Sequence, residues 1–146
     1  METLKELMKK VLADTFAMYL KAHNYHWNVE GPDFAQYHTF FGNLYEELFD
    51  AVDTAAEQIR ALDAYAPGSF SRFKELTDIE DEISVPSCVM MAQRLSDDNE
   101  IVLASLNMAF KLAEQFDKQG LMDFLAGRID IHNKHGWMLR SIAKNV

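Results

Sequence analysis

The first half of the chain contains four side chains that could bind a transition metal: His26, His38, Asp53 and Glu57. Asp53 and Glu57 are four residues apart, so on a helix they share one face and repel each other unless a cation lies between them. Two imidazoles and two carboxylates suit Fe(II), which accepts mixed nitrogen and oxygen ligands and leaves positions open for an oxidant. The alternative is an ordinary hydrogen-bonded histidine near a helix end and an acidic face exposed to water.

The spacing does not allow one metal ion to reach all four residues of one chain. His38 and Asp53 are 15 residues apart, which on one helix separates them by about 22 Å along the axis. Around the helix axis the two residues are offset by only about 60°, so they point to a similar side of the helix. If two chains pair across this side through a two-fold symmetry axis, the histidines of one chain lie opposite the carboxylates of its partner. We therefore expect the site at an interface between two chains, with two sites in each dimer.

Other residues with metal-binding side chains have weaker patterns. No glutamate is followed by a histidine three residues later, which is the pair typical of ferritin-like di-iron sites inside one bundle. His23 lies three residues before His26 and could face the same site, but a packed or solvated ring is favoured. His132 and His135 have no convincing carboxylate partner in the sequence and are interpreted as structural or exposed.

Apolar residues at helical spacing predict an all-α protein with one domain over residues 1–146. A first helix over about 3–29 and a second over about 34–63 are separated by Gly31-Pro32, which lets them lie antiparallel. The connection that follows carries a short helix over Arg72–Leu76, with Ser69 or Ser71 as its cap.

Two further long helices complete the prediction. The third begins after Ser87 and ends near Gly120, and the fourth runs from about Leu121 to Lys144. Four long helices with one long crossover between the second and third form a ferritin-like four-helix bundle. The expected core positions are Leu4, Met8, Val11, Thr15, Met18 and Ala22, then Tyr37, Phe41, Leu44, Leu48, Val52, Ala55, Ile59 and Leu62, and finally Leu125, Ile131, Met138 and Ile142.

A second apolar stripe and the overall composition indicate what the protein contacts. Tyr45 and Phe49 lie about 100° around the second helix from its core positions, which suggests a subunit interface or, alternatively, a broad core face. The formal net charge of −9 favours metal cations over DNA as partners. No apolar run is long enough for a membrane span and no signal region is present, so we expect a cytoplasmic protein. Cys88 is the only cysteine, and we expect a buried thiol.

The stretch His23-Asn24-Tyr25-His26-Trp27-Asn28-Val29-Glu30-Gly31 resembles the first-helix signature of the Dps family, the mini-ferritins. The resemblance continues through Phe34, His38 and Asp53-Thr54-Ala55-Ala56-Glu57, followed by Arg60 and Leu62, with the same intervals. It covers about a quarter of the chain closely. The segment Lys134-His135-Gly136-Trp137-Met138-Leu139 and the helix order extend it weakly to most of the chain.

The resemblance implies a homo-oligomeric shell of twelve subunits. It implies a ferroxidase centre at each dimer interface, with His26 and His38 from one subunit and Asp53 and Glu57 from the other. Fe(II) would be oxidised by hydrogen peroxide or O2 and stored as ferric mineral, which protects against oxidative damage. Trp27 would lie near the centre as an accessory residue and intercept stray oxidising equivalents, or serve as a core aromatic. Asp123 aligns loosely with an acidic position that lines iron-entry pores.

Two departures from the family pattern limit these implications. Family members often carry a carboxylate one turn after the second histidine, where this chain has Gly42. Each site of the family has two iron positions, and we expect the second position of this chain to bind iron weakly. The lysine-rich tail of DNA-binding members is absent, so DNA binding is not expected. The alternative functions are a DNA-compacting nucleoid protein of the same fold and a cage that has lost ferroxidase activity.

Overall fold

The computed structural model describes residues 1–144 and contains five α-helices. Asn145 and Val146, on which the expectation of no lysine-rich tail partly rests, lie outside the described residues. The helices are α1 (Glu2–Asn28), α2 (Phe34–Ala61), α3 (Phe70–Leu76), α4 (Cys88–Gln115) and α5 (Gln119–Ala143). The four long helices form an all-α bundle and the short α3 lies in the crossover between α2 and α4, as the sequence predicts.

The first two helices form an antiparallel pair because the chain reverses within five residues after Asn28. Gly31 has a φ of +118°, a conformation that side-chain-bearing residues rarely adopt, and its carbonyl accepts a hydrogen bond from the Phe34 amide. The apolar stripes predicted for these two helices are confirmed. Met8, Met18 and Leu48, for example, are completely buried between α1, α2 and α4.

The crossover is held against the bundle by buried polar contacts from α1. Asp14 in α1 is fully buried, and its carboxylate accepts hydrogen bonds from the hydroxyl of Thr77 at 2.6 Å and from the amide of Asp78 at 3.2 Å. The hydroxyl of the core residue Tyr25 donates to Glu82 at 2.5 Å. Because buried polar groups are costly unless they are paired, these contacts fix where the crossover passes over α1.

Serine caps begin two helices. Helix α4 starts after Ser87, as the sequence predicts, whereas α3 starts after Ser69, two residues before its predicted start at Arg72. Ser69 accepts a hydrogen bond from the amide of Arg72, and Ser87 accepts one from the amide of Met90. Cys88 in the first turn of α4 is only partly buried, and its thiol faces the carbonyl of Glu30 at 3.4 Å.

The predicted end of the third long helix near Gly120 is wrong. Helix α4 ends at Gln115, and the left-handed position after it is taken by Asp117 with a φ of +53°. Aspartate tolerates this conformation better than most side chains, so glycine is not required for the turn. Gly120 lies in the first turn of α5 instead.

The predicted inward face of the last helix is also partly wrong. Leu125 is buried and Ile142 packs at the edge of the core, but Ile131 and Met138 do not belong to it. The face of α5 that points inward instead carries a mixture of apolar and polar side chains: Leu121, Leu125, Arg128, His132, His135 and Leu139. Its apolar periodicity is weak because the polar members of this face have partners on other helices.

None of the helices in the described part of the chain is long and apolar enough to span a membrane.

Candidate metal centre

The turn between α1 and α2 brings His26 and His38 into direct contact, as the sequence predicts. His26 lies in the last turn of α1 and His38 near the start of α2. The Nδ1 atom of each imidazole donates to the backbone carbonyl of the other histidine, both at 2.7 Å. Because a carbonyl oxygen only accepts, each Nδ1 carries a proton, and in the neutral ring Nε2 keeps its lone pair. The two rings are therefore held in the tautomer that binds a metal through Nε2.

The two imidazole rings are stacked, with their centroids 3.8 Å apart and their planes at 17°. Phe34 covers the other face of His38, at a centroid distance of 4.9 Å. An imidazole binds a metal ion that lies in its own ring plane, so two nearly parallel rings suit one ion each better than one shared ion.

The two candidate carboxylates lie elsewhere on α2. Asp53 and Glu57 are both exposed on the surface of the chain. Along the helix axis they lie about 22 Å and about 28 Å from His38. Within the described residues, no group of three or more histidine, cysteine, aspartate or glutamate side chains could hold a metal ion. One chain therefore contains two separate halves of the predicted site.

An aromatic cluster lies beside the histidine pair. The ring of His23 is packed between Tyr45, at 3.8 Å and 6°, and Trp27, at 3.9 Å and 32°. Its Nδ1 lies 3.1 Å from the hydroxyl of Tyr19. His23 is therefore a packed residue, as favoured by the sequence. Trp27 is 60% exposed, so it is not a core aromatic of the single chain.

A buried polar network, which sequence patterns did not reveal, joins α2, α4 and α5. Glu47 in α2 pairs with Arg128 and accepts a hydrogen bond from His135 Nε2 at 2.7 Å. Arg128 also donates to His132 Nε2 at 2.9 Å, and His132 Nδ1 donates to Asn99 at 2.7 Å.

The interpretation of His132 and His135 as structural is confirmed, but His135 does have a carboxylate partner. That partner is 88 residues away in the chain, at a separation where no local pattern indicates a contact. The network lies inside the bundle and does not include His26 or His38.

Charge and burial set the ionisation of this network. Burial opposes a charge on Glu47, but hydrogen bonds from His135 and Arg128 together with the charge of Arg128 outweigh burial and lower its pKa to about 2. Burial, followed by the nearby Arg128 and His135, lowers the pKa of His132 well below its usual value of 6.5. Glu47 is therefore ionised and His132 neutral at neutral pH.

Asp123 remains an isolated candidate. It is exposed in the early part of α5, and a role at a pore between subunits stays a prediction.

Comparison with known proteins shows the family. The Ferritin-like domain matches residues 5–146. A low temperature-induced protein of Nostoc is 34% identical over 137 residues, covering 92% of this chain and 76% of the relative. A DNA protection during starvation protein of Bacillus anthracis is 30% identical over 136 residues, covering 93% of each chain.

A solved structure agrees with this result. The Dps protein of Vibrio cholerae, described as a member of a broad superfamily of ferritin-like diiron-carboxylate proteins, superimposes with a TM-score of 0.94 at 26% identity, covering 98% of this chain and 90% of that chain. The sequence motif around His26 and the bundle of four long helices with a short crossover helix agree with these relatives. The chain belongs to the Dps family of ferritin-like proteins.

Proposed function

We propose that this chain is a ferroxidase subunit of a hollow homo-oligomeric cage, expected to contain twelve subunits. The cage oxidises Fe(II) with hydrogen peroxide, or with O2, and stores the ferric product inside. Each site takes His26 and His38 from one subunit and Asp53 and Glu57 from its neighbour. The role is protective, because removing both Fe(II) and peroxide suppresses hydroxyl-radical formation. The cage acts in the cytoplasm.

The observation that carries this proposal is the reciprocal hydrogen bonding of His26 and His38. Carbonyl oxygens hold both protons on Nδ1, which leaves the lone pair of each Nε2 available to a metal ion. No partner for either Nε2 is found among the described residues. Two imidazole nitrogens in the metal-binding tautomer, without a carboxylate in reach, are half of a metal site.

A second copy of the chain can supply the carboxylate half of the site. The two-fold arrangement that the sequence predicts would bring the exposed Asp53 and Glu57 of one α2 towards the histidines of another. Large apolar side chains next to the histidine pair and further along α2 are exposed in the single chain: Trp27 is 60%, Phe34 43% and Phe49 55% exposed. Apolar surface of this kind is typical of a protein interface. A subunit pairing across α2 would cover it and complete two sites at once.

The chemistry required of the residues is simple. Fe(II) is the substrate, and the Nε2 atoms of His26 and His38 bind it without releasing a proton. The negative charges of Asp53 and Glu57 stabilise Fe(III) more than Fe(II), which favours oxidation. Two Fe(II) ions each lose one electron, and hydrogen peroxide takes up both electrons, which breaks its O–O bond and gives two hydroxide ions. Hydrolysis of the Fe(III) product then gives the mineral.

Complementation between two inactive variants tests the shared site. The first variant carries His26→Ala and His38→Ala, and the second carries Asp53→Ala and Glu57→Ala. Each alone should lose most of its rapid Fe(II) oxidation, because every site lacks half of its ligands. In a mixed dimer one site receives both sets of mutations and the other receives none. With equal, random pairing, half of the dimers are mixed and half of their sites are intact, so about a quarter of the wild-type sites should return.

A control with the same spacing is available on another helix. Glu2 and Glu6 are exposed carboxylates of α1, four residues apart like Asp53 and Glu57. The variant Glu2→Ala, Glu6→Ala should keep its Fe(II) oxidation. Native mass spectrometry should confirm that all variants assemble. Assembled mixed cages with no recovered activity would refute the shared site, since they would show that each chain builds its own.

A further inference from the structure

The ring of His26 lies directly against the backbone of α2 at Gly42. A Cβ atom added to Gly42 would stand only 3.0 Å from both Cε1 and Nδ1 of His26. Carbon atoms in van der Waals contact are about 3.5–4.0 Å apart, so the ring would have to move away by several tenths of an ångström. Only a residue without a side chain leaves the imidazole where it now lies.

The conformation of Gly42 does not otherwise require glycine. It lies within α2, and it is not among the residues with a positive φ. Glycine inside a helix is less favourable than alanine by about 1 kcal/mol. The helix therefore carries a residue that weakens it, and the contact with His26 is the feature that an alanine would disturb.

The position of Gly42 also links it to the second histidine. Gly42 lies four residues after His38, so in a regular helix its amide donates to the His38 carbonyl. That same carbonyl accepts the 2.7 Å hydrogen bond from His26 Nδ1. Moving the His26 ring away from Gly42 would lengthen this bond, which fixes both the tautomer and the direction of Nε2.

We propose that Gly42 is a positioning residue of the metal centre, because its missing side chain lets His26 lie against α2 and present Nε2 as a ligand. The proposal rests on the proposed function in that His26 is taken as a metal ligand. It has a further consequence for the site. Because Gly42 has no side chain, this turn of α2 supplies no carboxylate, and the ligands from this end of the chain are nitrogen atoms only.

A double-mutant cycle tests the contact without any metal. Gly42→Ala is compared in the wild-type and in the His26→Ala background by thermal unfolding at one protein concentration. With His26 present, we expect the clash to cancel or reverse the gain in helix propensity, so the Tm stays constant or falls. With His26 removed, the same substitution should raise the Tm by a few degrees. Gly127→Ala is the control, because Gly127 also lies within a helix and a Cβ there meets nothing within 4 Å.

Binding of Co(II), used alone as a probe that is not oxidised by air under these conditions, tests the consequence for the site. Calorimetric titration of the assembled Gly42→Ala variant should show at least a tenfold loss of affinity, and Gly127→Ala should bind as the wild type does. A Tm increase of equal size in both backgrounds, or a wild-type Co(II) affinity of Gly42→Ala, would overturn the proposal. If the wild-type protein itself binds no Co(II), the proposed metal centre fails, and the thermal cycle alone then decides whether Gly42 positions His26.

Discussion

The ion pair between Glu47 and Arg128 predicts how the stability of the fold changes with pH. The α1–α2 and α4–α5 helix pairs pack against each other mainly through α1 and α4, whereas α2 and α5 meet through the long side chains of Glu47, Arg128 and His135. Arg128 and His135 are buried, at 6% and 7% exposure. Replacing Glu47 by glutamine, its neutral counterpart of the same shape, removes the one negative charge in this network.

The magnitude follows from the pKa of Glu47. It falls from the usual 4.5 to about 2 in the folded chain, a difference that corresponds to at most about 3 kcal/mol of stability at neutral pH. The Glu47 side chain is 30% exposed, and water screens part of this effect. We therefore expect Glu47→Gln to be less stable than the wild type by about 2 kcal/mol at pH 7.

The sign of the pH dependence is fixed by the direction of the change. Because the pKa is lower in the folded state, the stabilisation is present in full above the unfolded value of 4.5 and is lost as the pH falls towards 2. The difference between wild type and variant should shrink to less than half by about pH 3. Protonation of His132 also acts at low pH. Because the charge of Glu47 raises the pKa of His132, this protonation adds a smaller pH-dependent difference between the two proteins.

Denaturant unfolding followed by circular dichroism, at one protein concentration and at several pH values, measures this difference. The neighbouring Glu46→Gln is the control, since Glu46 is exposed on the same helix, and it should change stability by less than about 0.5 kcal/mol. A difference for Glu47→Gln that stays constant from pH 7 to pH 3 would show that the charge of Glu47 is not what stabilises the network. Equal effects of the two substitutions would refute the reasoning as well.

Three further predictions concern assembly, DNA and the α4–α5 turn. Native mass spectrometry should find a species of about twelve times the 16.8 kDa chain mass, and a monomer at micromolar concentration would contradict both the cage and the shared site. The net charge of −9 predicts that the protein does not retard duplex DNA in a gel at physiological salt without added divalent metal, so a retarded band under these conditions would show that the charge argument fails. Asp117 has a φ of +53°, so Asp117→Gly should raise stability by about 0.5–1 kcal/mol in thermal unfolding. An unchanged or lowered Tm would mean that the aspartate side chain stabilises the turn by more than the strain costs.

Much of the fold could be predicted from the sequence because its causes are local. Apolar residues at helical spacing specify α1 and α2, and Gly31 allows the reversal between them. Ser69 and Ser87 begin helices through hydrogen bonds that span only three residues. The approach of His26 and His38 was also predictable, since a short turn between two antiparallel helices leaves little freedom.

Where distant partners decide, the sequence was a poor guide. Apolar spacing alone misassigns the inward face of α5, because Arg128, His132 and His135 are polar and are buried only where Glu47 and Asn99 reach them from other helices. Glycine preference likewise predicts the end of α4 at Gly120, although Asp117 makes the turn. Both errors come from applying local preferences where tertiary contacts outweigh them.

The sequence by itself determined which residues could bind a metal and that one chain cannot assemble them, because helix geometry converts residue intervals into distances. Only the tertiary structure decided how the histidines are presented. The two Nδ1 hydrogen bonds, the stacking of the rings and the contact of His26 with Gly42 each depend on how α1 packs against α2. Those are distances of a few ångströms between residues that are 12 or 16 positions apart, and no interval along the chain specifies them.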